Sequence, residues 1–151
     1  MSILPLKPLP ETSPSKGLIR AYDRFSELLH SIENLDLKEE SIEEINRNIS
    51  SVNEVEDPKK FKIQLLKKRH NTLKILEKNE KLVAKNHYRN LWMALGMTVF
   101  GLPFGVVFAM SLDNMAFIAI GLPIGMPIGM AIGAQKDKQA AEEGRQLDIE
   151  S

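Results

Sequence analysis

Cysteine is absent from this chain of 151 residues, which excludes disulfide staples, thiolate metal sites and cysteine nucleophiles, and is compatible with a reducing compartment. A continuous apolar run is missing from residues 1–15, where Pro5, Pro8, Pro10 and Pro14 interrupt the few apolar side chains. That stretch therefore reads as no secretory signal but as a flexible, proline-rich lead-in of extended chain. The histidines, His30, His70 and His87, lie far apart without ligand spacing and read as polar-face residues. No phosphate-binding loop and no nucleophile motif occurs, and the acidic cluster around Glu39, Glu40, Glu43 and Glu44 lacks the glycine of a calcium loop. The reading is of a protein that is not an enzyme and needs neither cofactor nor metal.

What the chain does contain is a sharp partition of charge. The formal net charge is zero, but residues 1–57 carry a net of −6, residues 58–90 a net of +9 and residues 91–151 a net of −3. Unlike blocks imply separate roles.

Within residues 16–90 the apolar period is that of helices. Leu18, Tyr22, Phe25, Leu29 and Ile32 line one face, widened by Ile19 and Leu28. Ile42, Ile45, Ile49 and Val52 make a second stripe over residues 37–52, with acidic residues in the first turns where the helix dipole favours them. Asp57 followed by Pro58 is an N-cap with proline at the first helical position. Phe61, Leu65, Leu66, Leu73, Leu76 and Val83 come next on one side, with no breaker before Gly96, so a third helix is expected to continue into the apolar run that begins at Leu91. Three such helices can fold on one another, or bury their stripes between copies as a coiled coil.

Residues 91–112 and 115–134 are two charge-free runs of 22 and 20 residues. At about 1.5 Å per residue each spans roughly 30–33 Å, the thickness of a hydrocarbon core. The expected architecture is all-α: a lead-in (1–15), a helical domain with a basic approach to the membrane (16–90), a transmembrane hairpin (91–134) turning at Asp113 and Asn114, and a polar tail (135–151). Lys78, Lys81, Lys85 and Arg89 precede the first span, Lys136 and Lys138 follow the second, and the turn has no basic residue. The basic excess places both termini in the cytoplasm of a cell whose inner or plasma membrane holds the protein. The same six side chains are placed to meet anionic lipid head groups. Tyr88 and Trp92 stand where an interfacial aromatic anchor belongs.

Glycine spacing is the most specific signal. Gly121, Gly125, Gly129 and Gly133 recur every fourth residue, and Gly101 and Gly105 repeat the interval in the first span. Such spacing lets helix backbones approach closely, within a hairpin or between copies. Positions equidistant from a turn at Asp113 share one depth, which sets Pro103 level with Pro123, Gly101 with Gly125 and Gly105 with Gly121. Pro103, Pro123 and Pro127 each remove a backbone donor and are expected to kink their helices. The run GLPIGMPIGMAIGA over residues 121–134 resembles the small bacterial two-span proteins with glycine-zipper segments. That resemblance covers the hairpin alone and implies membrane packing and oligomerisation, with no assigned activity.

Two functions fit. The first is a membrane protein that self-associates through its hairpin and presents a cytoplasmic helical domain to a protein partner. The alternative is a homo-oligomeric pore or channel, such as a membrane-permeabilising effector, with an apolar gate. Thr98 and Ser111 are the only polar side chains inside the spans, so the ionisable group that a coupled transporter carries is missing. The basic cluster Lys67, Lys68, Arg69 lacks any nucleic-acid-binding motif around it, and no nucleic acid partner is expected.

Overall fold

The computed structural model describes residues 2–9 and 14–150, so Met1, Ser151 and positions 10–13 of the lead-in, Pro10 among them, lie outside the described residues. The class is all-α. Two compact units are present: one of residues up to Val83 together with Leu147–Ile149, the other chiefly Ala84–Gln146.

Three helices build the first unit: α1 (Lys16–Ile32), α2 (Glu39–Asn53) and α3 (Pro58–Ile75). The Ser15 hydroxyl accepts from the Leu18 amide at the start of α1, and the Asp57 carboxylate accepts from the Lys60 amide at 2.8 Å before Pro58 opens α3. Helix α3 packs against both α1 and α2. Phe25, Leu28, Ile32, Ile45, Ile49, Val52, Phe61, Leu65 and Leu76 are withdrawn from solvent between them. At about 1.5–3 kcal/mol for each large apolar side chain fully buried, this core and not the charge pairing decides the packing. Within it, Thr72 is fully buried and accepts a long bond from the Asn48 amide, whose oxygen accepts from Lys68.

The third helix does not run on into the apolar segment, a correction to the sequence reading. Its last turn widens into a π-turn over Leu76–Glu80, Lys81 turns left-handed at φ 60°, and a short strand β1 (Val83–Lys85) comes before Asn86, left-handed at φ 58°. No proline or glycine marks this break. It is made by non-local partners instead. Strand β1 pairs with β2 (Gln146–Glu150), and Val83, Leu147 and Ile149 of the first unit are buried. The segment expected as a polar tail is thus ordered. The Glu80 carboxylate closes the break from the other side by accepting from the Lys38 amide and the Ser41 hydroxyl at the start of α2, which has no side-chain cap of its own.

The second unit is a helical hairpin. Its first arm is α4 (His87–Gly96), a π-turn (Met97–Gly101) and α5 (Leu102–Ser111); its second arm is α6 (Ile118–Glu142), entered through a 3-10 turn at Met115–Phe117. At the connection the Asn114 amide donates to the Ala109 carbonyl across Asp113, which is left-handed at φ 44°. The Asn114 side chain then accepts from the Ala116 amide at 2.9 Å. Helix α6 ends in the same way, with Gly144 at φ 68° and the Arg145 amide on the Ala140 carbonyl.

Candidate functional site: a glycine-faced apolar hairpin

The two arms, His87–Ser111 and Met115–Glu142, have mean hydropathies of 1.9 and 2.0 and are long and apolar enough to cross a membrane. Only 22% and 17% of their most apolar windows are buried, which is opposite to the core helices of a water-soluble fold. Val99, Val107, Met110 and Met115 are more than half exposed. Seven of the ten buried positions are glycine, Gly96, Gly101 and Gly105 on the first arm and Gly121, Gly125, Gly129 and Gly133 on the second; the others are Ala109, Asp137 and Ala140.

These glycines meet each other through backbone. A Cβ built on Gly125 would sit 2.5 Å from the Gly101 nitrogen, and one on Gly121 2.5 Å from the Gly105 nitrogen. A Cβ on Gly129 would run into the Trp92 carbonyl and one on Gly133 into that of Tyr88. Real Cβ atoms do not come within 3.0 Å of such neighbours, so no other residue type fits here without moving a helix. The structure therefore interlocks the glycines within one chain: Gly121 lies between Gly101 and Gly105, and Gly125 between Gly96 and Gly101, so the level pairs meet but are not exclusive partners.

Four-residue spacing does not single out Gly96, yet it faces Gly125 and Gly129. It stands five residues before Gly101, one too many for the four-residue face. The π-turn Met97–Gly101 absorbs that extra residue, because its hydrogen bonds span five residues instead of four. Three glycines of the first arm thereby share one face. Pro103 sits just after this widened turn, at the start of α5, and Pro123 and Pro127 lie inside the continuous α6.

Polar groups in the hairpin are engaged locally. Thr98 donates to the Leu95 carbonyl at 3.0 Å and Ser111 to the Val107 carbonyl at 2.8 Å. At the open end, Asp137 is buried and reaches across from α6 to the first turn of α4. Its two carboxylate oxygens accept from the Tyr88 and Arg89 amides, each at 2.9 Å. Asn86, the residue that precedes α4, makes no side-chain cap. Asp137 supplies it from the other helix, with its negative charge on the positive end of the α4 dipole. A carboxylate between Lys136 and Lys138 is indistinguishable in sequence from any surface acid.

Around this end Lys136 lies over the Trp92 ring, 5.6 Å from its centroid, and His87 packs edge-on against Tyr88. Arg145 pairs with Glu143. That hydrogen bond, then one from Gln139, holds the Glu143 carboxyl below its ordinary range, and the same pairing, with Tyr88, raises Arg145. The basic residues expected at lipid head groups are all exposed. Lys85, Arg89, Lys136 and Lys138 belong to the hairpin unit, Lys78 and Lys81 to the helical domain. No group of acidic and histidine side chains that could hold a metal ion occurs among the described residues.

No family model, curated protein or solved structure matches the chain.

Proposed function

We propose that this chain is an integral membrane protein whose hairpin anchors a helical domain at the cytoplasmic surface, where that domain docks a protein partner. The observation that carries the reading is the inside-out distribution of the hairpin: glycine backbone packed within, large apolar side chains outside. Exposure of that many apolar side chains needs a hydrocarbon solvent. The glycine face is assigned to closing the hairpin, since the other arm of the same chain already covers it. Self-association between copies, expected from the spacing, would have to use the outer surface. A pore is the less supported reading, because Thr98 and Ser111 bond their own helix and leave no polar side chain for a lining. Anionic lipid is the partner proposed for Lys85, Arg89, Lys136 and Lys138.

The absence of cysteine makes the test direct. Single cysteines at Ser2 and Asn114 are labelled with a membrane-impermeant thiol reagent in intact cells and in lysed membranes. The reading expects Asn114→Cys to be labelled from outside and Ser2→Cys only after lysis. Extraction of the protein by alkaline carbonate, or outside labelling of Ser2→Cys, overturns it.

A further inference from the structure

Residues 2–9 lie along α2, held by a ladder of two asparagines. Asn46 accepts from the Leu4 amide at 2.8 Å and donates to the Ser2 carbonyl at 3.0 Å. Asn53 repeats the arrangement one step on, accepting from the Lys7 amide at 2.9 Å and donating to the Pro5 carbonyl at 3.1 Å. The two periods are close. Seven helical residues rise about 10.5 Å, and three residues of extended, proline-type chain rise about 9.3 Å, so every third residue of such a chain meets the next asparagine. The ladder reads only main chain and would hold other sequences in the same conformation.

Selectivity enters at two places. The Lys7 ammonium donates to the Val55 carbonyl just past α2 and lies 5.0 Å over the Phe61 ring, a seat for a cation at the negative end of a helix. Beside α1 the fit is loose: an open groove of about 350 Å³ remains between Ile3–Leu6 and the α1 residues Tyr22, Ser26 and Leu29, with Glu33 just beyond them. No side chain among residues 2–9 is buried. The segment is held by its backbone, one lysine and the half-buried Ile3 and Leu6, and leaves space that a larger side chain would fill.

We propose that this face of α2, with the groove beside it on α1, is a peptide-recognition site, held shut in cis by residues 2–9. Its partner is a protein segment in extended conformation carrying a proline, a bulky apolar residue and then a lysine or arginine. The proposal rests on the helical domain being a docking module and supplies the chemistry of what docks. Tethering gives the internal segment an effective concentration on the order of millimolar, so a partner wins by filling the groove that Ile3–Leu6 leave open along α1.

The experiment uses the full chain in vesicles, with a fluorophore on Ser2→Cys. A peptide of the sequence of residues 2–9, with phenylalanine in place of Leu6, is titrated in while anisotropy is read. The expected result is a saturable fall as the tethered segment leaves. A peptide that also carries glutamate in place of Lys7 should need at least about tenfold more. Asn46→Ala/Asn53→Ala, and separately Lys7→Glu, which touches only the segment, should give low anisotropy without peptide. Unchanged anisotropy in both variants, or no displacement by several millimolar peptide, overturns the proposal. So does a two-chain mass that peptide dissociates, which would put a second copy's segment on the ladder. Failure of the membrane reading shows separately, as release of the chain from the vesicles.

Discussion

Gly125→Ala tests whether the glycine face closes the hairpin. The added methyl carbon would lie 2.5 Å from the Gly101 nitrogen and 2.8 Å from its Cα. Ordinary contact needs about 3.4 Å or more, so the arms must separate by roughly 0.5–1 Å. A gap of that size forfeits about a quarter to a half of each dispersion contact it touches. If on the order of 30 atom pairs at ~0.1–0.2 kcal/mol each are affected, the loss is about 1–3 kcal/mol. Alanine recovers up to about 1 kcal/mol through helix propensity, which leaves a net destabilisation of roughly 1–2 kcal/mol. Leu122, whose side chain is exposed although its Cα borders Gly101, supplies the control. Thermal unfolding in detergent micelles, with a detergent-corrected mass for each variant, is the assay. Gly125→Ala should lower Tm with no change in mass, and Leu122→Ala should leave Tm near the wild-type value. The reasoning is refuted if Gly125→Ala is as stable as wild type. A mass that falls while the hairpin keeps its Tm would place the glycine face between copies.

Asp137→Ala removes both acceptors from the first turn of α4 and should cost about 1–2 kcal/mol, read as a lowered Tm, while Asp137→Asn, which keeps one acceptor, should cost less. Asp113→Gly should raise Tm slightly and Asp113→Val should lower it, because φ at this position is 44° and a β-branched side chain resists that region. The Glu143 carboxyl, held low by Arg145 and Gln139, should titrate below an ordinary glutamate in an NMR pH series and move back up in Arg145→Gln. A depressed folded-state pKa contributes stability above the unfolded value, so what the pair adds is present at neutral pH and is lost as pH falls through the folded pKa.

The helices of the first unit are legible where periodicity alone decides. Ile42, Ile45, Ile49 and Val52 form one stripe by spacing and all four are buried, and the Asp57 cap lies where the Asp-Pro pair puts it. Lengths and hydropathy of the two arms are legible for the same reason. The rest depends on partners far apart in sequence. Val83 leaves the helical path because a strand more than 60 residues onward pairs with β1, and nothing local to Lys81 announces it. Glu80 and Asp137 act as caps for helices to which they do not belong. Asn46 and Asn53 look like ordinary polar positions until the chain that they hold is seen beside them. Gly96 is hidden for a different reason: its spacing is right only after a change of helix type that no pattern in the sequence declares.

That change of helix type has a consequence for how the chain can lengthen or shorten. The first arm carries one residue more than a regular helix would need to line up Gly96, Gly101 and Gly105. Deleting one residue between Gly96 and Gly101 would let the π-turn relax into an α-turn while all three glycines keep their places. The same deletion between Gly101 and Gly105, or anywhere between Gly121 and Gly133, would rotate half of an arm by about 100° and set side chains where backbone now meets backbone. Length variation in this hairpin should therefore be tolerated in one turn of one arm and excluded from the remainder.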